Sequence, residues 1–417
     1  MKTTGIILTT LLMMLSFYGI SQEFKPNYDE AKMPPYKLPD PLVFEDGTPV
    51  KDKESWQKRR AELLRIFEKE EYGVSPAWKG KITATELASN PDAFSGMGVM
   101  KQVKLTLING SKHHSMNLLM YLPKKTGKIP VFLGYNFNGN YTVTDDPKII
   151  AENIWDIEGE KVQQVKAADS DRGSSYNNWQ VKEILSRGYG LVTLYYCDAD
   201  PDFNDGFKNG VHSLYDWKRD SSSWGSIAAW AWGLSRVLDY LETVPQIDSK
   251  KVIVMGHSRL GKAALWAGAT DQRFAMVISN NSGCGGAALS KRIYGETVGR
   301  INTVFPHWFC DNYNKYNEKE DKLPVDQHEL LALIAPRPLY VASAEDDQWA
   351  DPKGEFLSCV AASPVYQLLG KEGLPVTEMP AVNSPVSGTI GYHIRSGGHD
   401  VKLYDWQRYL DFADKLR

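Results

Sequence analysis

The sequence of 417 residues predicts a three-layer αβα sandwich, in which helices cover both faces of a mostly parallel β-sheet. Short, wholly apolar runs alternate with longer helical patterns from residue 129 onward, which is typical of buried parallel strands and their crossover helices. Before them, Val99–Leu107 and Met116–Leu122 flank a turn-rich segment and alternate apolar with polar residues. This pattern predicts an antiparallel pair. Antiparallel N-terminal strands should therefore precede the parallel part of the sheet.

The N-terminal residues 1–21, MKTTGIILTTLLMMLSFYGIS, predict a secretory signal peptide because one lysine precedes an apolar run and then small, polar residues. The run is too short and too interrupted for a permanent membrane anchor. We expect residues 22–417 to form a single domain that is secreted or periplasmic. Residues 22–97 should be an N-terminal extension that packs on it, with an amphipathic helix over Lys53–Tyr72.

Composition excludes some classes of protein. The formal net charge is −3, so the chain lacks the basic field of a nucleic-acid-binding protein. Its 12 tryptophans and 21 tyrosines suit a surface that faces carbohydrate and equally an aromatic-rich core. The four cysteines permit disulfides in an exported protein, and no histidine or cysteine spacing indicates a metal site.

The remaining elements follow in order along the chain. Segment 145–178 reads as a long, irregular surface insertion, and segment 305–316 as an insertion rich in aromatic residues. Strands are predicted at Ile129–Leu133, Gly190–Tyr196, Val252–Met255, Met276–Ser279, Leu339–Ser343 and Gly391–Ile394. Helices are predicted at Ser223–Thr243, from Leu260 onward, around Val325–Ile334 and at Lys402–Lys415.

A nucleophile elbow is predicted where the strand Val252–Met255 turns into a small-residue helix. The turn reads Gly256-His257-Ser258-Arg259-Leu260-Gly261, which places Ser258 at its apex. It departs from the usual G-x-S-x-G pattern because leucine precedes the second glycine. The alternative is that Ser258 only caps the helix N-terminus.

The base that would activate Ser258 is expected to be His399. This histidine lies in the loop Ser396–Asp400, between the last strand and the last helix. His257 adjoins the serine but should point away from it, and His393 reads as a strand residue. The order of serine, acid and histidine along the chain is that of α/β-hydrolases.

The acid that would orient His399 is less obvious. No carboxylate follows the strand Met276–Ser279, where Asn280, Asn281 and Ser282 stand. The next strand is followed by Glu345-Asp346-Asp347, and three successive acids also suit a solvated turn. The sequence pattern alone does not decide which of these three acids orients His399.

These residues together resemble the glucuronoyl esterases of carbohydrate esterase family fifteen, in particular the bacterial members. The resemblance extends from about Pro39 to the C-terminus. It is carried by Gly256-x-Ser258-Arg259-x-Gly261-Lys262, the glycine-rich turn Ser282–Gly286, Gly295-Glu296, the acidic loop with Trp349, and Gly397-Gly398-His399.

The resemblance implies a role for each matching residue. Ser258 would be the nucleophile, His399 the base, and Arg259 a donor to the oxyanion. Asp347 matches the acid of some bacterial relatives, whereas many fungal relatives carry the acid at the position of Asn281. We therefore expect an Asp347 oxygen within about 3.2 Å of His399 Nδ1. The sugar-binding residues would be Lys262 and Glu296, which bind hydroxyl groups, and Trp349, which contacts the sugar face.

The implied activity is hydrolysis of (4-O-methyl-)glucuronic acid esters, as in the links between lignin and glucuronoxylan, with no metal or organic cofactor. The expected partner is plant cell-wall polysaccharide, with no nucleic acid, no stable membrane insertion and a monomeric enzyme. An acetyl (xylan) esterase or another carbohydrate esterase on the same fold is the alternative. A carbohydrate-binding relative that has lost activity is a further one.

Overall fold

The computed structural model of the chain describes residues 24–158 and 161–416, so the predicted signal peptide lies outside the described residues. A ten-stranded sheet has the order β1-β2-β3-β7-β4-β8-β9-β10-β12-β11, and β5 pairs with β6 in a separate hairpin. The strands are β1 (Lys81–Asp92), β2 (Gly98–Asn109), β3 (Lys112–Pro123), β4 (Ile129–Asn136), β5 (Asn153–Glu158), β6 (Lys161–Lys166), β7 (Gly190–Tyr195), β8 (Ile247–His257), β9 (Met276–Asn280), β10 (Leu339–Ala344), β11 (Val386–Ser387) and β12 (Ile390–Arg395).

The sheet is parallel from β7 through β4, β8, β9 and β10 to β12. The strands β1, β2 and β3 are antiparallel to one another, and β3 is antiparallel to β7. The predicted sheet, mostly parallel with antiparallel N-terminal strands, is confirmed. Every residue of β4, β7, β9, β10 and β12 is buried, as expected when helices cover both faces.

Helices lie on both faces of the sheet. The α-helices of six or more residues are Lys53–Phe67, Val181–Ser186, Ser226–Leu241, Arg259–Thr270, Val298–Val304, Gln327–Ala332, Pro352–Leu368 and Leu403–Ala413. Alternate residues of β8 enter two different apolar clusters: Val252 and Val254 face one, Ile253 and Met255 the other. This alternation produces the three layers.

The structure contains elements that were not predicted, among them strand β1, the hairpin β5–β6 and the helix Pro352–Leu368. Strand β1 lies at the exposed sheet edge and has a mixed polar sequence, so the alternation that marks a half-buried strand is weak. It brings part of the predicted N-terminal extension into the sheet itself. The hairpin β5–β6 occupies part of the segment expected to be irregular. The helix Pro352–Leu368 contains Pro364, a residue that normally ends a helix, yet burial against the sheet maintains it.

The cysteines Cys197, Cys284, Cys310 and Cys359 are all buried and unpaired. The disulfides that the sequence permits are therefore not formed. Among the described residues, no helix is both long and apolar enough to cross a membrane.

Candidate active site

Ser258 occupies a strained turn between β8 and the helix Arg259–Thr270. Its φ of 58° and ψ of −131° are unusual for a residue with a side chain. The turn closes tightly, since a Cβ atom at Gly256 would lie 1.9 Å from the carbonyl oxygen of Leu260. In this fully described helix, the Ser258 hydroxyl accepts no capping hydrogen bond. The geometry is that of a nucleophile elbow and not of an N-cap.

His399 and Asp347 form the expected contact, with Nδ1 of the imidazole 2.6 Å from Oδ2 of the carboxylate. Asp347 follows β10 and its side chain is 5 % exposed, whereas Glu345 and Asp346 are exposed. Burial alone would raise the pKa of Asp347. The hydrogen bond and charge of His399, with a hydrogen bond from Asn281, hold that pKa below its ordinary value. The ionised acid can thus fix the imidazole tautomer.

Ser258, Arg259 and His399 line one cavity of about 370 Å³. The cavity is also lined by Phe137, from the loop after β4, and by Trp406, from the last helix. The predicted nucleophile, base and oxyanion donor therefore open onto the same space.

His257 also lines this cavity, although the sequence suggested that it points away from the serine. Its ring packs on that of His399 at 4.4 Å between centroids, and its Nδ1 lies 2.6 Å from Oδ1 of Asn280. Burial and the neighbouring His399 lower the pKa of His257 to about 3, so it stays neutral. His393 is a buried strand residue, as predicted, bound to Asp405 at 2.8 Å.

Arg259 is held from two sides. Its Nη1 forms an ion pair with Asp202, and its guanidinium lies over the rings of Trp308, at 4.7 Å, and Phe305, at 5.2 Å. The side chain is 28 % exposed and lines the cavity. A cation fixed in this way can stabilise a developing negative charge without reorganising.

Asp202 was not singled out from the sequence. Besides Arg259, it accepts hydrogen bonds from Trp308 Nε1 at 2.7 Å, His307 Nε2 at 2.9 Å and the Tyr196 hydroxyl at 3.1 Å. Burial alone would raise the pKa of this carboxyl, but the hydrogen bond from His307 and the charge of Arg259 lower it to about 2. Its place in the segment that follows the carboxyl end of β7, after the short helix Tyr196–Ala199, was the signal that could have pointed to it.

Lys262 and Glu296 lie together, with 3.7 Å between Nζ and Oε2, and both side chains are nearly buried. Lys262 Nζ also donates at 2.6 Å to each of the carbonyl oxygens of Ser282 and Cys284. Two of its three donors are thus used by the glycine-rich turn. Burial raises the pKa of Glu296, and Lys262 offsets part of that effect.

Trp349 joins this second group through its backbone, since its carbonyl accepts from the Glu296 N–H at 3.0 Å. None of Lys262, Glu296 and Trp349 lines the 370 Å³ cavity. The ring of Trp308 links the two regions, because it lies under Arg259 at 4.7 Å and near Lys262 at 5.9 Å. The predicted sugar-binding residues therefore flank the reaction centre and do not lie in its cavity.

Residues 24–32, the start of the described part of the predicted N-terminal extension, also reach this region. The carbonyl of Asn27 accepts from the Gly295 N–H at 2.9 Å, and the ring of Phe24 meets that of Trp349 edge-on at 6.0 Å. Arg292 anchors the segment through Glu30 at 2.6 Å. This segment lies before Pro39, where the family resemblance begins, so the motifs could not reveal it.

A serine on a nucleophile elbow, with a histidine–aspartate pair delivered by later strands of the same sheet, defines a serine ester hydrolase of the α/β-hydrolase class. The family model described as glucuronyl esterase, fungi, matches residues 185–370. The chain belongs to carbohydrate esterase family 15, the glucuronoyl esterases, as the resemblance implied.

Two relatives support this assignment. Carbohydrate esterase MZ0003, from an unknown prokaryotic organism, is 49 % identical over 397 residues, which cover 93 % of this chain and 91 % of the relative. 4-O-methyl-glucuronoyl methylesterase 1 of Wolfiporia cocos is 30 % identical over 347 residues, covering 80 % and 72 %.

Two solved structures are similar along almost their whole length. A promiscuous CE15 esterase from the marine bacterial metagenome has a TM-score of 0.87 at 49 % identity, over 94 % of this chain and 99 % of that one. The glucuronoyl esterase from Solibacter usitatus has a TM-score of 0.87 at 47 % identity, over 92 % and 99 %.

Proposed function

We propose that the protein hydrolyses esters of (4-O-methyl-)glucuronic acid, with Ser258 as nucleophile, His399 as base and Asp347 as the orienting acid. The observation that carries the mechanism is the 2.6 Å contact between His399 and Asp347, in a loop that lines the same cavity as the elbow serine. The substrate class is supported by relatives that are named 4-O-methyl-glucuronoyl methylesterases.

In the first half of the reaction, His399 takes the hydroxyl proton while Ser258 attacks the C6 carbonyl of the uronate. The carbonyl oxygen becomes an oxyanion, which Arg259 and backbone N–H groups stabilise. The intermediate collapses, the bond to the alcohol breaks, and His399 returns the proton to the leaving alcohol. Ser258 then carries the glucuronoyl group as an ester.

In the second half, water attacks that ester and gives its proton to His399. A second oxyanion forms at Arg259 and collapses, the bond to Ser258 Oγ breaks, and His399 returns the proton to that oxygen, which releases the uronic acid and regenerates Ser258. Asp347 stays ionised throughout and stabilises the imidazolium in both halves.

Recognition of the sugar is assigned to the group beside the reaction centre. The one Lys262 donor that no backbone carbonyl uses and the Glu296 carboxylate would bind ring hydroxyls, and Trp349 would contact the sugar face. We place the enzyme outside the cytoplasm, acting as a monomer on plant cell-wall glucuronoxylan and its lignin esters.

A broader carbohydrate esterase, active on acetyl esters, is the second candidate. Two of the three Lys262 donors are bound to the carbonyls of Ser282 and Cys284, which leaves fewer for a uronate. A similar solved structure is that of a promiscuous CE15 esterase.

The deciding experiment compares kcat/KM for benzyl glucuronate and for 4-nitrophenyl acetate, with wild-type enzyme and Ser258→Ala. We expect the glucuronate ester to be preferred and both activities to disappear in the variant. A preference for the acetate would favour the second candidate. A Ser258→Ala enzyme that keeps a tenth of the activity would refute the mechanism.

A further inference from the structure

Asn281 stands where the sequence offered no acid, yet its side chain takes part in the site. Its Nδ2 donates to Oδ2 of Asp347 at 2.7 Å, and this is the same oxygen that lies 2.6 Å from Nδ1 of His399. The residue is 2 % exposed. One carboxylate oxygen is therefore held between a buried amide and the imidazole.

The backbone fixes this amide in place. Asn281 has a φ of 46° in the left-handed region, and its N–H donates to the Ala342 carbonyl at 2.7 Å, on the neighbouring strand β10. Its Oδ1 is buried and has no hydrogen-bond partner among the residues that the structure describes. A carboxylate only accepts, so the amide must present its NH₂ group to Asp347. An unpaired acceptor is the cost of that orientation.

We propose that Asn281 is a positioning residue, which fixes the orientation of the Asp347 carboxylate and keeps it ionised. A single negative charge then lies beside His399. The proposal rests on the proposed catalytic role of Asp347. A neutral donor stabilises the ionised acid, whereas a second carboxylate at 2.7 Å would compete with it for a proton. Among the described residues, Tyr28, His257 and Glu355 are further titratable groups whose charges interact with that of Asp347.

Asn281→Ala removes the donor without adding charge. We expect kcat to fall about 10- to 100-fold, the range for loss of one hydrogen bond to a charged group, with KM little changed. Because the effect passes through Asp347, the loss should be equal for benzyl glucuronate and 4-nitrophenyl acetate. The acid limb of the pH profile should stay in place.

Asn281→Asp keeps the side-chain volume and adds a carboxyl group. At low pH Asp347 and the introduced carboxyl group share one proton, so the introduced group can donate a hydrogen bond to Asp347 as the native amide does. Once both carboxylates ionise, the second negative charge stabilises the imidazolium, so His399 keeps its proton to higher pH. We expect the acid limb of kcat/KM to move upward by about one pH unit or more.

The matched control is Asn312→Ala. Asn312 is 5 % exposed and its Nδ2 donates to the Lys69 carbonyl at 2.7 Å, so the same bond is lost at a site that no catalytic residue touches. This control should keep wild-type kcat, and thermal unfolding of each variant separates misfolding from lost catalysis. If Asn281→Ala does not fold, the pH profile of Asn281→Asp decides.

Wild-type kcat in Asn281→Ala, or an unmoved acid limb in Asn281→Asp, would overturn the proposal. Measuring Ser258→Ala alongside distinguishes a failure of the proposed function from a failure of the proposed role of Asn281. Should Ser258→Ala remain active, the proposed function fails; if it is inactive while Asn281→Ala behaves as wild type, only the role of Asn281 fails.

Discussion

Replacing Asp202 by asparagine tests whether Arg259, the proposed oxyanion donor, depends on its buried ion pair with Asp202. The Asp202 side chain is 3 % exposed and accepts from Arg259, Trp308, His307 and Tyr196. Asparagine keeps the shape but offers one acceptor oxygen in place of two, and it carries no charge. Arg259 would then lie over the aromatic rings without its counter-ion.

The expected loss of stability follows from the pKa of Asp202, which is about 2 in the folded protein against an ordinary value of 3.8. A difference of nearly two pKa units corresponds to about 2–3 kcal/mol of unfolding free energy at neutral pH. Since the folded-state pKa is the lower one, this contribution is complete above about pH 4. It is lost as the pH falls toward 2. The difference between wild type and Asp202→Asn should therefore shrink over that window.

The expected loss of kcat in Asp202→Asn cannot exceed the loss that removing Arg259 itself would cause. Complete loss of one oxyanion donor costs roughly 10²–10³ in kcat. Asp202→Asn keeps the arginine but loosens it, so we expect kcat for benzyl glucuronate to fall about 10- to 100-fold. Steady-state kinetics at pH 7 measure this, and urea unfolding between pH 2 and pH 7 measures the stability change.

Asp311→Asn is the matched control, because it breaks a surface ion pair between Asp311 and Arg219 in which both side chains are partly exposed. Such pairs contribute about 0–1 kcal/mol, so stability and kcat should change little. If Asp202→Asn behaved like this control while Arg259→Ala lost activity, the reasoning would be wrong. Arg259 would then hold its position without Asp202.

Three further substitutions test individual roles. Arg259→Ala should lower kcat by roughly 10²–10³ with a smaller change in KM; a rise in KM alone would make it a ground-state binder. Asp347→Asn should lower kcat about 10⁴-fold if the acid works as in serine proteases, and a much smaller loss would mean that another carboxylate substitutes. Glu296→Gln should raise KM for benzyl glucuronate but not for 4-nitrophenyl acetate; equal effects on both would remove it from sugar binding.

Local sequence pattern was enough to predict the parallel part of the fold and the sharp turn that carries Ser258. The strands β4, β7, β8, β9, β10 and β12 are recognisable because burial on both faces demands continuous apolar runs. The elbow is recognisable because Gly256 and Gly261 allow the close approach that lifts Ser258 out of the sheet. Both signals depend on neighbours in sequence.

Where the local pattern was weak or contradictory, elements were missed. Strand β1 has exposed, mixed residues at the sheet edge, and the helix Pro352–Leu368 contains an internal proline. In both cases pairing or burial against the rest of the sheet outweighs the local preference.

The electrostatics of the site were decided only by the tertiary structure. Three adjacent acids look alike in the sequence, but the neighbouring carboxyl ends of β9, β10 and β12 bring Asp347 between Asn281 and His399. Asp202 likewise acquires its donors from segments up to 106 residues away. Local periodicity carries no information about such partners, because a hydrogen bond depends on distances that only the packed sheet determines.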